Sequence, residues 1–201
     1  MIETEYPITL CQACSASKKA LSLGDSKCPF NGIPFSSHSL PDKIFFNFEA
    51  FMKTFPEKAS DARCDVLYRS GRETFLFIEL KVADWFFETN DNKEIIGQKN
   101  VNYLFSSLKL KFENSFNTYF LKYSPISKNI CFSIMLSNGY FNQKWNTPSI
   151  SISMLKDIIR KKVFRMFSKD YMKTKSYTYK GIQVKLDARD CDEADKLISL
   201  A

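Results

Sequence analysis

Cys64 to Lys81 reads CDVLYRSGRETFLFIELK, and its reading decides the fold. Two β-like runs, Cys64–Arg69 and Thr74–Val82, flank Ser70-Gly71-Arg72-Glu73, a turn signal between strands. In the second run Phe75 and Phe77 alternate with Leu76, Ile78, Leu80 and Val82, so both faces are apolar. That pattern predicts a central strand rather than an edge. The run nonetheless ends in Glu79-Leu80-Lys81. Side chains two apart on a strand share a face, so Glu79 and Lys81 are expected to emerge together. In a hairpin Asp65, at the start of the neighbouring strand, lies close to them.

Working outward, PDKIFFNFEAFMKTF (41–55) carries apolar residues at 44, 45, 48, 51, 52 and 55, the spacing of an amphipathic helix stopped by Pro56. NKEIIGQKNVNYLFSSLKL (92–110) predicts a second helix, with Gln98, Val101, Phe105 and Leu108 on one stripe. NICFSIMLS (129–137) is a buried strand, and strand–helix–strand implies a parallel crossover. Ile152 to Lys169 predicts a basic helix with Leu155, Ile159, Val163 and Phe167 inward. Ile182, Val184 and Leu186 mark a half-buried strand, and Asp190 is placed to cap a last short helix. Residues 1–40 show no strong periodicity.

Composition narrows the chemistry. The chain has 201 residues, 44% hydrophobic, with 19 Phe against 6 Gly, which suits one packed domain. It contains one histidine, His38, which excludes metalloprotease and nuclease sites that need two or more. The net charge of +7 is concentrated in residues 151–185, where ten Lys and Arg face two Asp and Glu. A local basic surface points to a polyanion, nucleic acid first. The N-terminus lacks the basic and apolar regions of a signal peptide, and no apolar run spans a bilayer. The expected setting is the cytoplasm, with no membrane partner, where six cysteines are read as thiols or metal ligands.

Two carboxylates and an ammonium converging at a sheet end suit a hard divalent cation, Mg²⁺ or Mn²⁺. Magnesium is held by one or two protein carboxylates and waters. It acidifies a bound water and neutralises charge on a phosphate. A lysine beside it can orient the water. Separately, Cys11, Cys14, Cys28 and His38 give C-x2-C-x13-C-x9-H, a donor set for one structural zinc. Lys156, Arg160, Lys161, Lys162, Arg165 and Lys169, interleaved or followed by Phe164, Tyr171, Tyr177 and Tyr179, are expected to contact phosphates, with the aromatics available for stacking on bases.

Asp65, thirteen residues, then Glu79-Leu80-Lys81 resembles the D…ExK signature of the PD-(D/E)XK nuclease superfamily. The resemblance covers about residues 41–137. It implies an α/β (α+β) restriction-endonuclease-like fold, a mixed central sheet flanked by helices, here with a small Cys-rich N-terminal extension. Three parts follow: a Cys/His segment at 1–40, a nuclease core at 41–145, and a basic helix, strand and short helix at 146–201. The resemblance further implies Mg²⁺-dependent hydrolysis of nucleic acid, DNA ahead of RNA. Asp65 and Glu79 would be metal ligands and Lys81 the water-orienting group. Glu49, on the first helix, stands where many members carry another acidic ligand, and Gln98 resembles a helical glutamine near the site in some branches. Cys64 stands where the motif has proline, and Asn102 and Tyr103 depart from the helical Gln–Tyr pair of RecB-like members. Only eight residues separate Pro56 from Asp65, so the first core strand is missing, displaced or very short. Compact members of this superfamily commonly serve as prokaryotic defence effectors. The competing expectations are an inactive nuclease-like scaffold that binds nucleic acid, a partner subunit or a second copy, and a zinc-dependent interaction module with a basic helix for a membrane or protein.

Overall fold

In the computed structural model of the chain, residues 6–9, 44–52, 54–55, 62–70, 74–91, 95–123, 129–137, 152–190 and 193 are described. They build one mixed seven-stranded sheet, part antiparallel and part parallel, with the main helices on one face. Strands β1 (Pro7–Thr9), β2 (Ile44–Asn47), β3 (Val66–Ser70) and β4 (Thr74–Val82) pair antiparallel in succession. After β4 comes a 3-10 turn, Ala83–Phe86, and a small separate hairpin of β5 (Phe87–Thr89) and β6 (Ile95–Gln98). The long helix α2 (Val101–Tyr123) then crosses over to β7 (Asn129–Ser137), which runs parallel to β4. A helical stretch returns the chain to the sheet in β8 (Ser176–Tyr179) and β9 (Ile182–Asp190). The order across the sheet is β1-β2-β3-β4-β7-β9-β8.

The antiparallel hairpin and the central placement of β4 agree with the reading of Cys64–Lys81: β4 lies between β3 and β7, and Phe75 to Leu80 are all buried. The parallel β4–α2–β7 crossover also agrees. The helix expected over 41–55 does not form as such. Ile44–Asn47 is instead β2, and only Phe48–Met52 is helical, as α1. Apolar residues at 44, 45 and 48 fit either structure, and the local cap decides: Asn47 Oδ1 accepts the Ala50 N–H at 3.1 Å, which starts the helix there. Thus a four-residue strand precedes β3, displaced to the N-terminal side of Pro56. Part of the 1–40 segment also belongs to the sheet, because Pro7–Thr9 pairs with Ile44–Phe46.

The helix expected over 92–110 begins later and runs further. Asn100 Oδ1 accepts the Asn102 N–H at 2.8 Å and caps α2, while the Lys99 N–H is held by the Phe86 carbonyl at 2.9 Å. The residues before this cap pair with β5.

The core between the sheet and α2 is aromatic. Phe77 meets Phe112 edge-on with centroids 5.4 Å apart, Phe112 lies 5.2 Å from Phe132, and Phe48 stacks on Phe77 at 5.7 Å. Such pairs each add about 0.5–1.5 kcal/mol beyond burial of their area. The basic helix forms as α3 (Ile152–Ile158), a π-helical turn (Ile159–Val163) and α4 (Phe164–Phe167). Leu155, Ile159 and Val163 point inward as expected, with Phe167 partly buried and 5.0 Å from Phe105. A short helix, α5 (Tyr171–Thr174), leads into β8. The sequence pattern did not announce β8; it joins β9 through Lys180-Gly181, both at positive φ, the backbone of a tight two-residue hairpin. Val184 and Leu186 are buried as the alternation required. Asp190 is the last residue of β9, and the short helix expected after it lies outside the described residues except for Glu193, which is in a 3-10 turn.

Candidate active site

Paired residues on adjacent strands share a face. Glu79 opposes Ile134, and Phe77 opposes Leu67 and Phe132, so Glu79 lies on the face that α2 covers. Lys81, two residues on, lies there too, near the carboxyl ends of the parallel strands β4 and β7. Glu79 is fully buried and Lys81 is 3% exposed. Their ammonium and carboxylate pair directly, through Oε1 of Glu79.

Asp65 immediately precedes β3, where its N–H donates to the Ile78 carbonyl at 3.1 Å. Its Oδ2 accepts the Leu80 N–H at 2.7 Å. That peptide group lies between Glu79 and Lys81, so the structure brings Asp65, Glu79 and Lys81 together at one end of the sheet. Asp65 is half-buried.

A fourth charged group joins them, one that the sequence reading missed. Lys111, on α2, reaches Glu79 Oε1 at 2.6 Å. Burial by itself would lower its affinity for a proton, but the carboxylates of Glu79 and Asp65 outweigh burial and hold the ammonium above its ordinary range. The same side of α2 fixes the approach to β3. Ser115 Oγ accepts the Cys64 N–H at 2.7 Å, and Asn114 Nδ2 donates to the Ala62 carbonyl at 2.9 Å. Lys111, Asn114, Ser115 and Thr118 form a polar stripe at i, i+3, i+4, i+7 beside the apolar Leu108, Phe112, Phe116 and Tyr119. That stripe was the available signal. An expected helix ending at Leu110 stopped one residue short of it.

Lys81 also lies 4.6 Å from the centre of the Trp85 ring, and Lys99 lies 5.8 Å from the same ring and from Tyr103. Trp85 is half-buried and Tyr103 is 56% exposed. Burial lowers the Lys99 ammonium below its usual value. Cys64, in the motif's proline position, is buried against Glu79; desolvation first, then that carboxylate, pushes its thiol far up.

The other expected residues fall elsewhere. Gln98 is not on a helix: it is the last residue of β6, opposite Phe87 and exposed, because the Asn100 cap starts α2 after it. Glu49 belongs to α1, but its side chain lies outside the described ones. Cys11, Cys14, Cys28 and His38 lie outside the described residues. Among the described residues no group of three or more His, Cys, Asp or Glu is arranged for a metal. Asp65 and Glu79 remain a two-carboxylate set, the hard-oxygen donors that suit magnesium.

In the basic segment Lys161, Lys162, Arg165 and Lys169 are exposed. Lys156 pairs with Glu193 at 3.3 Å, and Arg160 donates to the Ala188 carbonyl, so these two tie the helix down. The interleaved aromatics expected to stack on bases are core instead: Phe164, Tyr171 and Tyr177 are buried, and Tyr179 packs against Phe116 with centroids 5.3 Å apart.

No protein-family model, curated protein or solved structure matches this chain. None of the helices in the described residues is long and apolar enough to cross a membrane.

Proposed function

We propose that the chain is a metal-dependent nuclease with a restriction-endonuclease-like core, hydrolysing phosphodiester bonds of nucleic acid, DNA before RNA. One observation carries the reading: the Asp65 carboxylate sits on the Leu80 N–H, between Glu79 and Lys81, beside the carboxyl end of a parallel crossover. Strand-strand-strand-helix-strand, as β2, β3, β4, α2 and β7, supports it.

Asp65 and Glu79 would hold a magnesium or manganese ion, which when bound supplies an acidic water and offsets charge on the phosphate. Their charges cancel those of Lys81 and Lys111, so a bound divalent cation would leave the site positive, as a phosphodiester requires. Lys81 would position the attacking water by its ammonium. Water would give up a proton to solvent as its oxygen bonds to phosphorus, the bond to the leaving oxygen would break, and that oxygen would take a proton from solvent. Lys111 would face the extra negative charge that phosphorus carries in between. Trp85, Asp65 and Lys111 are half-buried and give the cluster its access to solvent. The exposed Lys161, Lys162, Arg165 and Lys169 would hold the backbone elsewhere. A role in prokaryotic defence rests on family analogy alone.

A second reading has its own support. Glu79 Oε1 already carries two ammonium groups, as in a structural ion cluster, which fits a nuclease-like scaffold that binds without cutting. The test is incubation with DNA and RNA panels, single and double stranded, with Mg²⁺ and Mn²⁺ and with chelator. Cleavage that needs the metal and is lost in both Asp65→Asn and Lys81→Ala supports the nuclease. Binding without cleavage under every metal condition supports the scaffold.

A further inference from the structure

Outward from the Glu79 cluster, ammonium groups and aromatic rings alternate. Trp85 sits in the 3-10 turn that follows β4, half-buried, with its ring edge-on to the buried Phe86 at 5.0 Å. Lys81, inside the cluster, lies 4.6 Å from the centre of the indole, and Lys99 lies 5.8 Å from it. Lys99 is also 5.8 Å from the centre of the Tyr103 ring. By contact the order is Lys81, Trp85, Lys99, Tyr103, and exposure rises from 3% at the first to 56% at the last.

Local hydrogen bonds fix this row. The Lys99 N–H donates to the Phe86 carbonyl at 2.9 Å, which ties it to the turn that carries Trp85. Asn100 Oδ1 accepts the Asn102 N–H and starts α2, which sets Tyr103 in the first turn of that helix. Groups spaced by the backbone in this way lose little freedom when a ligand binds.

Lys99 is short of negative charge. No hydrogen bond or ion pair holds its ammonium among the described residues. Glu88 is the carboxylate that it feels, yet burial outweighs Glu88 and leaves the ammonium below its ordinary range. A cation in that state gains from a further anion. Tyr103 is the one exposed aromatic ring among the described residues, since those of the basic segment are core. The Lys99 ammonium stands near the outer limit of contact, about 6 Å. More than half of the tyrosine therefore stays open to a flat partner.

We propose that Lys99 and Tyr103 hold a single strand of nucleic acid beside the Glu79 cluster. Lys99 takes the phosphate next to the one presented at Lys81, and the base of that nucleotide stacks on Tyr103. That the ligand is nucleic acid rests on the nuclease reading; Tyr103 adds the strandedness. In a duplex each base is already stacked on its neighbours, whereas an unpaired base can offer its face to an aromatic ring. Trp85 does not stack on a base: its ring carries the two ammonium groups and spaces them.

Fluorescence anisotropy of the full chain with a labelled oligothymidylate, and with a duplex of equal length, both in chelator, tests this without cleavage. Tyr103→Ala is expected to weaken single-strand binding about fivefold or more, the worth of one base on an aromatic ring, and to leave duplex binding at the parental value. Tyr103→Phe should bind the single strand as the parent does. Lys99→Gln should lower the log–log salt slope on the single strand by about 0.7, the value for one phosphate, while Tyr103→Ala leaves that slope unchanged. Tyr103 is exposed, so its variants decide the matter should Lys99→Gln fail to fold. Tyr103→Ala binding the single strand as tightly as the parent, or losing as much affinity for the duplex, would overturn the proposal. Failure of the nuclease reading looks different: the loss in Tyr103→Ala persists, and no metal brings cleavage.

Discussion

Replacing Lys111 by methionine keeps most of its aliphatic volume and removes one of the two ammonium groups on Glu79 Oε1. Breaking a buried ion pair from one side costs about 3–5 kcal/mol when the remaining charge is left alone. Glu79 retains Lys81, and Lys111 is 19% exposed, so the expected loss is smaller, about 2–3 kcal/mol. In a domain of this size that corresponds to a fall in Tm of about 4–12 °C. Glu79→Gln destabilises as well, because two ammonium groups then face an amide. The two changes share one interaction, so the double variant should cost less than the sum, with a coupling of about 1–3 kcal/mol. Urea unfolding of the four proteins measures it. The sign with pH is also fixed. The folded-state affinity of Lys111 for its proton is raised, so its contribution is complete below the unfolded value near 10.5 and is lost as pH climbs through the higher folded one. The gap between parent and Lys111→Met should therefore stay flat from about pH 6 to 9 and narrow only above about 10.5. Additivity within about 0.5 kcal/mol would refute the argument that Lys111 and Glu79 stabilise each other.

Reversing Lys162, Arg165 and Lys169 to glutamate should weaken nucleic-acid binding across all sequences and flatten the log–log salt slope by about 0.9 for each phosphate that is no longer neutralised; a salt titration reads this directly. Cys64 and Cys131 should resist alkylation at pH 8 in the native protein and react once it is unfolded, as mapped by mass spectrometry. Burial raises both thiols, so the unfolded chain ionises first and these two groups lower stability as pH rises above about 9. Protein purified without chelator is expected to carry one zinc per chain, measured by elemental analysis, held by Cys11, Cys14, Cys28 and His38.

The hairpin and the crossover were legible because β4 and β7, nine residues each, are apolar on both faces for most of their length, a pattern that leaves little else to form. β2 was not, since Ile44, Phe45 and Phe48 satisfy a helical and an extended spacing equally, and the choice rests on the Asn47 cap and on pairing with β1 and β3. Gln98 was misplaced for a related reason: Asn100 lies inside an apparently helical stretch, and a cap there is visible only as a single polar residue. Asp65, Glu79 and Lys81 could be found by strand phase. Lys111 could not be paired with Glu79 from sequence, because 32 residues separate them and only the docking of α2 brings them together. Tyr177 and Tyr179 were misread because β8 was missed: alternation in SYTY is too short to outweigh the helix before it, yet it turns Tyr177 inward.

The lengths of the strands have a consequence for how this chain meets other copies of itself. β4, β7 and β9, in the interior of the sheet, run nine residues each, whereas β1 and β8, which end it among the described residues, run three and four. Unpaired strand borders are templates for aggregation, and short ones with proline offer little to recruit. Pro7 brings no N–H to one border. At the other, where β9 outruns β8, the Arg160 guanidinium and the Lys175 carbonyl occupy backbone groups that a foreign strand would otherwise take. Shortening the reach of Arg160, or straightening the turn at Lys175, would then be felt first as precipitation at high protein concentration.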